Sequence, residues 1–213
     1  MGMALRIQGN QAGAKAAHEQ ALLLAREIER IDLEAEALEQ IGLNLEHADD
    51  PTASLGYHQQ ALAHWQTLDE TEQMIHSLNH IGDAQRSLAD LDAARTTLEQ
   101  ALLLVQNLPD KAYLQAQIRG NLAGVYYEQG DLDAAETQWL TALATFDALG
   151  VAFDKIAVLN NLGGLAVQRQ QHELALDYFG RSFTLAEAIG DQRGLKTALT
   201  NMAIVLRDRG NWT

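Results

Sequence analysis

Asn121, Asn161 and Asn201 stand forty residues apart, and His80 and Gln40 continue the series toward the N-terminus, with one step of 41 between His80 and Asn121. A carboxamide carries donors and an acceptor together, so a ladder of them can bond both groups of a peptide backbone whatever its side chains. The same amides can instead bond a neighbouring helix or a buried water and serve only the fold. His76 and His80, four apart, have a spacing at which two imidazoles on one helix can share a metal, with Asp83 and Glu39 as oxygen candidates. No His-Glu-x-x-His pattern accompanies them and no third ligand is fixed, whereas zinc needs three or four, so no metal and no cofactor is expected. Gly163-Gly164 lies inside a helical pattern and leads to no Lys followed by Ser or Thr, so it is not a phosphate cradle. No nucleophile elbow is present, and the pairs Glu27/Glu29 and Asp131/Asp133 belong to turns and helix ends. At such ends an acidic group offsets the helix dipole. The reading is of a protein that is not an enzyme.

Composition sets outer bounds. The chain has 213 residues, 47% hydrophobic and 21% charged, enough apolar material for a core and too little charge for a disordered chain. Only Pro51 and Pro109 interrupt it, which favours helix. No apolar run is long enough to span a membrane, and no secretory signal opens the chain. Cysteine is absent, which removes thiol chemistry and fits a cytoplasmic setting. A net charge of −14 argues against nucleic-acid phosphates or anionic lipid as general partners.

The elements that must carry the amides emerge from a repeat. Val158–Gln170 reads VLNNLGGLAVQRQ, helical in its apolar spacing yet loaded with Asn and Gly, which are poor helix formers. Its Leu162-Gly163 step recurs as Ile41-Gly42, Ile81-Gly82, Leu122-Ala123 and Met202-Ala203, and Met1-Gly2 falls on the same grid. The single longer interval has its extra residue near Leu108-Pro109-Asp110. Eight residues after each small residue comes a turn: Asn10-Gln11, Asp50-Pro51, Asp90-Leu91, Asp131-Leu132, Gln171-His172 and Asn211-Trp212. Asp and Asn there are favoured helix N-caps. A second helix follows with matched columns of small residues (Ala14, Ser54, Ala94, Ala135, Ala175) and, four further on, larger ones (His18, His58, Leu98, Trp139, Phe179). More columns continue that face, ending in Ile28, Leu68, Leu108, Leu149 and Ile189. Each unit is therefore a helix pair, A then B, and only stacking buries its apolar face. On this reading Gly42, Gly82 and Gly163 are spacers that let helix A approach helix B. Arg119 breaks an apolar A-helix column, and neighbouring Ile118 is expected to take the buried place.

The set Asn121-Leu122-Ala123, Tyr126, Gly130-Asp131-Leu132, Ala135, Trp139 and Ala142-Leu143 resembles the tetratricopeptide repeat (TPR), and the resemblance covers essentially the whole chain. The long period is similar to the extended repeats of kinesin light chain, of LGN/Pins, and of bacterial signalling regulators that join such arrays to ATPase or DNA-binding modules. The stretch Ala188–Gly194 resembles the bacterial group most. The resemblance implies an all-α right-handed superhelix of about five helix pairs. Its expected divisions are 1–30 (partial repeat 1), 31–70, 71–110, 111–151, 152–191 and 192–213 (helix A of repeat 6). It also implies that A helices line a concave groove holding a protein or peptide ligand. The residues expected to bind it are Asn79, His80, Arg86, Asn121, Tyr127, Asn160, Asn161, Asn201 and Arg207. Gly124 and Gly164 would leave floor space, and the acids Glu36, Glu39, Glu46 and Asp83 would favour a ligand with a basic end toward repeats two and three. The leading expectation is a binding scaffold serving as the regulatory module of a larger signalling or transcription-regulating protein. A metabolite sensor built on Gly124, Gly164 and Tyr127, or a passive spacer, remains open beside it. The grid begins and stops within a repeat, so a fragment of a longer array is expected, able to stack end to end through Met1, Met3 and Leu5 and through Ile204, Val205 and Leu206.

Overall fold

A computed structural model describes residues 11–208 and 210, which form ten α-helices and no strand. They are α1 (Gln11–Glu27), α2 (Ile31–His47), α3 (Pro51–Leu68), α4 (Thr71–Ser87), α5 (Leu91–Val105), α6 (Ala112–Gln129), α7 (Leu132–Leu149), α8 (Ala152–Gln168), α9 (His172–Ile189) and α10 (Gln192–Asp208). The even-numbered helices are the A helices and the odd-numbered ones the B helices. Met1, Met3 and Leu5, with the turns at Asn10-Gln11 and Asn211-Trp212, lie at least partly outside the described residues. No helix among the described residues is long and apolar enough to cross a membrane.

Turn chemistry punctuates the chain at half the repeat. Asp50, Asp90 and Asp131 cap α3, α5 and α7, each side chain accepting from the backbone N–H three residues on. Helix C-termini close with a left-handed residue at positions 29, 49, 69, 89, 110, 130, 150, 170, 190 and 210. The interval is 20 throughout except for 21 between Ala89 and Asp110, where the extra residue sits. The local bonds are those of a Schellman closure: Gly130 N–H donates to Tyr127 O and Asp131 N–H to Tyr126 O.

The chain divides into two compact units, with the boundary between Pro109 and Asp110. In the first unit α2 packs on α1 and α3, α3 on α4, and α4 on α5. Its core includes Leu38, Ile41, Leu45, Ala61 and Trp65. In the second unit α7 packs between α6 and α8, α9 packs between α8 and α10, and α8 also touches α6 and α10. Trp139, Phe146, Leu159, Leu162 and Phe179 fill its centre.

The glycines act as spacers. A Cβ on Gly42 would stand 2.6 Å from the His58 ring, one on Gly82 would stand 2.5 Å from Leu98, and one on Gly163 would fall on the Phe179 ring. Each contact joins helix A to the B helix that follows it, and Ser54, Ala94, Ala135 and Ala175 answer from the B side with no exposed surface. Ile118 takes the buried place beside Arg119, whose guanidinium turns to donate to Gln138 at 2.6 Å. Two expectations need correction. The column is not buried: Ile28, Leu68, Leu149 and Ile189, at or just past the ends of their B helices, are exposed, and Leu108 is half-buried. Of the residues expected to lack cover near the C-terminus, Ile204 is exposed, but Val205 is buried in the core of its unit and Leu206 is half-buried.

Candidate functional site

In the first unit the polar chemistry gathers where α2, α3 and α4 meet. Glu46 stands four residues after the spacer Gly42 on α2, and His80 two before the spacer Gly82 on α4. His58 comes up from α3 with its ring lying over Gly42 and no exposed surface. One carboxylate oxygen, Glu46 Oε1, lies 3.0 Å from His58 Nε2 and 3.2 Å from His80 Nδ1. The two imidazoles stack with centroids 4.8 Å apart and planes 14° from parallel. Burial pushes the Glu46 carboxyl up, but hydrogen bonds from His58 and His80 and their charge outweigh it and bring it down to about 2. For His80 burial works downward, yet the bond to Glu46 and the charges of Glu46, Glu39 and Asp83 leave its pKa above the ordinary 6.5. His76, the neighbour at helical spacing, is not part of this cluster.

The remaining predicted residues of this unit are less open than expected. Asn79 is buried, with 8% of its surface exposed. Arg86 folds back on Asp83 of its own helix at 2.8 Å. Glu39 accepts a short hydrogen bond from Ser77. With Glu46 between two imidazoles, three of the four acids expected to favour a basic ligand already have partners within the fold.

The second unit carries the amides. Asn161 on α8 is exposed, while Asn121 on α6 and Asn201 on α10 are half-buried. Among the described residues neither Asn161 nor Asn201 has a side-chain hydrogen-bond partner, whereas Asn121 does interact within the fold. Asn160 turns the other way: its Nδ2 donates to Ile156 O of its own helix at 2.9 Å, and its Oδ1 is buried and unpaired. Tyr127 is half-buried with its ring 5.7 Å from Trp139, whose indole N–H donates to Gly120 O. Arg207 is exposed and pairs with adjacent Asp208 at 3.1 Å. A Cβ on Gly164 would meet nothing within 4 Å, so there is open space at that station. A cavity of about 630 Å³ lies between α8 and α9, lined by Lys155, Leu159, Asp177 and Arg181 among others; Gly124, Tyr127 and Gly164 are not in its wall.

Repeated helical hairpins with small residues at each A–B crossing define an all-α solenoid of stacked pairs. The sequence model of the tetratricopeptide repeat matches residues 33–107, 73–148 and 154–213, and the chain belongs to that family. Among solved structures it is similar to a Rap protein complexed with competence and sporulation factor, at 20% identity and a TM-score of 0.84 over 98% of this chain and 62% of that one. It is also similar to BtubC from P. vanneervenii, at 19% identity and a TM-score of 0.77 over 93% and 84% of the two chains. NprR in complex with its cognate peptide NprX matches at 15% identity and a TM-score of 0.76, over 99% of this chain and 59% of that one. At these identities the likeness shows the fold. This chain spans less than two thirds of the Rap and NprR chains, and no curated protein matches it.

Sequence reasoning found His80 and missed its partners. His58 and Glu46 are 22 and 34 residues from it and on two other helices. The available signal was that His58, like His18 before it, stands in a column that later reads Leu98, Trp139 and Phe179.

Proposed function

We propose that the A-helix faces bind an extended peptide or protein segment, and that the chain is the interaction module of a larger cytoplasmic signalling protein. The observation that carries this is the state of the amides on α8 and α10. Asn161 and Asn201 occupy the same station of successive, touching A helices, and neither amide is used by the fold among the described residues. An amide kept for helix packing would be bonded and buried. With Asn121 at the same station of α6, the three can take up N–H and C=O groups along one segment, and Tyr127 of α6, held against Trp139, would supply an aromatic surface for side chains. Bound complexes of similar folds agree with this reading, since NprR was solved with its cognate peptide NprX.

The test is the triple substitution Asn121→Ala, Asn161→Ala and Asn201→Ala. Peptides selected from a displayed library against the wild-type chain should bind the triple variant on the order of 100-fold more weakly, given roughly 1 kcal/mol for each hydrogen bond lost. Melting should hold or rise slightly, because Ala is the better helix former. Unchanged affinity with a lowered melting temperature would make the ladder structural.

A further inference from the structure

His58, Leu98 and Phe179 fill equivalent slots, each lying against the glycine of the preceding A helix. Of the three only His58 is polar, and it is as fully buried as Leu98. Its Nδ1 has no hydrogen-bond partner. An imidazole in an apolar slot is destabilising unless its bonded nitrogen gains something strong in return. That nitrogen, Nε2, points at Glu46 and toward His80.

We infer that Glu46, His58 and His80 form a binding site for a divalent transition-metal ion of the zinc class, with a fourth position open on the A-helix face of the first unit. One ligand atom from each residue lies within 4.8 Å of the other two. The carboxylate oxygen is 3.0 and 3.2 Å from the two nitrogens. Tetrahedral zinc with bonds of about 2.0–2.1 Å places neighbouring ligand atoms about 3.3 Å apart, so the two edges to the carboxylate are already close to the length required, and the edge between the two nitrogens is within 4.8 Å. Two imidazoles and one carboxylate are a set zinc takes when its fourth position is left to water. The site also has a gradient of freedom that suits assembly around an ion. The His58 ring is fully buried in the slot that Gly42 leaves open, while the Glu46 and His80 side chains are 24% and 27% exposed. An ion lies close to the plane of each imidazole that holds it, and two nearly parallel rings cannot both contain it. Ligation therefore turns the His80 ring out of its stack on His58, and the half-exposed ring is the one able to turn. Glu39 and Asp83 add negative charge around His80, which favours a cation there.

The experiment uses the untagged full chain, stripped with chelator and titrated with Co²⁺, whose tetrahedral complexes absorb in the visible. The result expected is one saturable ion per chain, with the band displaced by Zn²⁺. Glu46→Gln and His80→Ala should weaken binding by about 100-fold or more, beyond the effect of losing an outer partner of a ligand. His76→Ala should bind as the wild type does, which separates this cluster from a same-helix pair. Far-UV circular dichroism and melting establish that each variant is folded. Should a variant not fold, ring-proton NMR of the wild type decides: Zn²⁺ should shift the His58 and His80 resonances and remove the contacts between their stacked rings. Absence of a saturable band, variants that bind like the wild type, or unshifted rings would overturn the site. None of these outcomes depends on peptide binding by the second unit.

Discussion

The imidazole of His80 shows how a single group can be pulled in opposite directions by its surroundings. Burial lowers its pKa, and the bond to Glu46 with the surrounding acidic charge raises it further than burial takes it down. In the metal-free protein an NMR titration of this ring should give a midpoint above 6.5, and Glu46→Gln should bring the midpoint down. A pKa higher in the folded chain than in the unfolded one means that the protonated ring stabilises the fold at pH below about 6.5 and that this contribution is lost as pH rises through the folded value. Glu46 has the opposite sign: held down to about 2, it stabilises above its ordinary value of 4.5 and loses that contribution as the pH falls toward about 2. A titration midpoint unchanged by Glu46→Gln would show that the carboxylate does not set it. Little of this was legible in the sequence. Glu46, His58 and His80 are brought together by three helices, and same-helix spacing pointed to His76 instead. Asn79 and Asn160 were read as ligand contacts from their place three residues before the spacer, yet Asn79 is buried and Asn160 bonds its own helix. An error of one residue in where a helix face ends is enough to make that difference, since each residue rotates by about 100°.

At the scale of the helix pair the sequence was far more readable. A small residue every forty positions and a turn eight residues later follow from how close two helices must come and where a chain can reverse. Gly163 and Gly164 test this directly, because they are adjacent in one helix and should respond with opposite signs. Gly163→Ala drives a methyl into the buried Phe179 ring and should destabilise by about 1–3 kcal/mol in chemical denaturation. Gly164→Ala meets open space and should stabilise by about 0.5–1 kcal/mol through helix propensity alone. The turns offer a third measurement. Ala89 holds a left-handed conformation at φ 61°, which an L side chain adopts at a penalty of about 1–2 kcal/mol. Ala89→Gly should therefore raise stability by about 0.5–1 kcal/mol despite the greater freedom of Gly in the unfolded chain. Equal effects at Gly163 and Gly164 would mean that the spacer reading is wrong.

For the whole molecule, the family follows from periodicity, and the proposed function rests on which side chains the periodicity leaves unused. Each unit buries its apolar columns through hairpin contacts and leaves its A helices with a polar station. In the second unit that station is three amides, two of them without partners among the described residues. Binding by such a surface should be broad in sequence preference, because the groups it recognises are backbone groups. The most direct measurement is hydrogen exchange on the full chain with and without a library-selected peptide. A segment lying on the amides should slow exchange in α6, α8 and α10 together while leaving the outer turns of α7 and α9 unchanged. Protection confined to one helix or to the cavity between α8 and α9, or no protection at saturating peptide, would contradict the account.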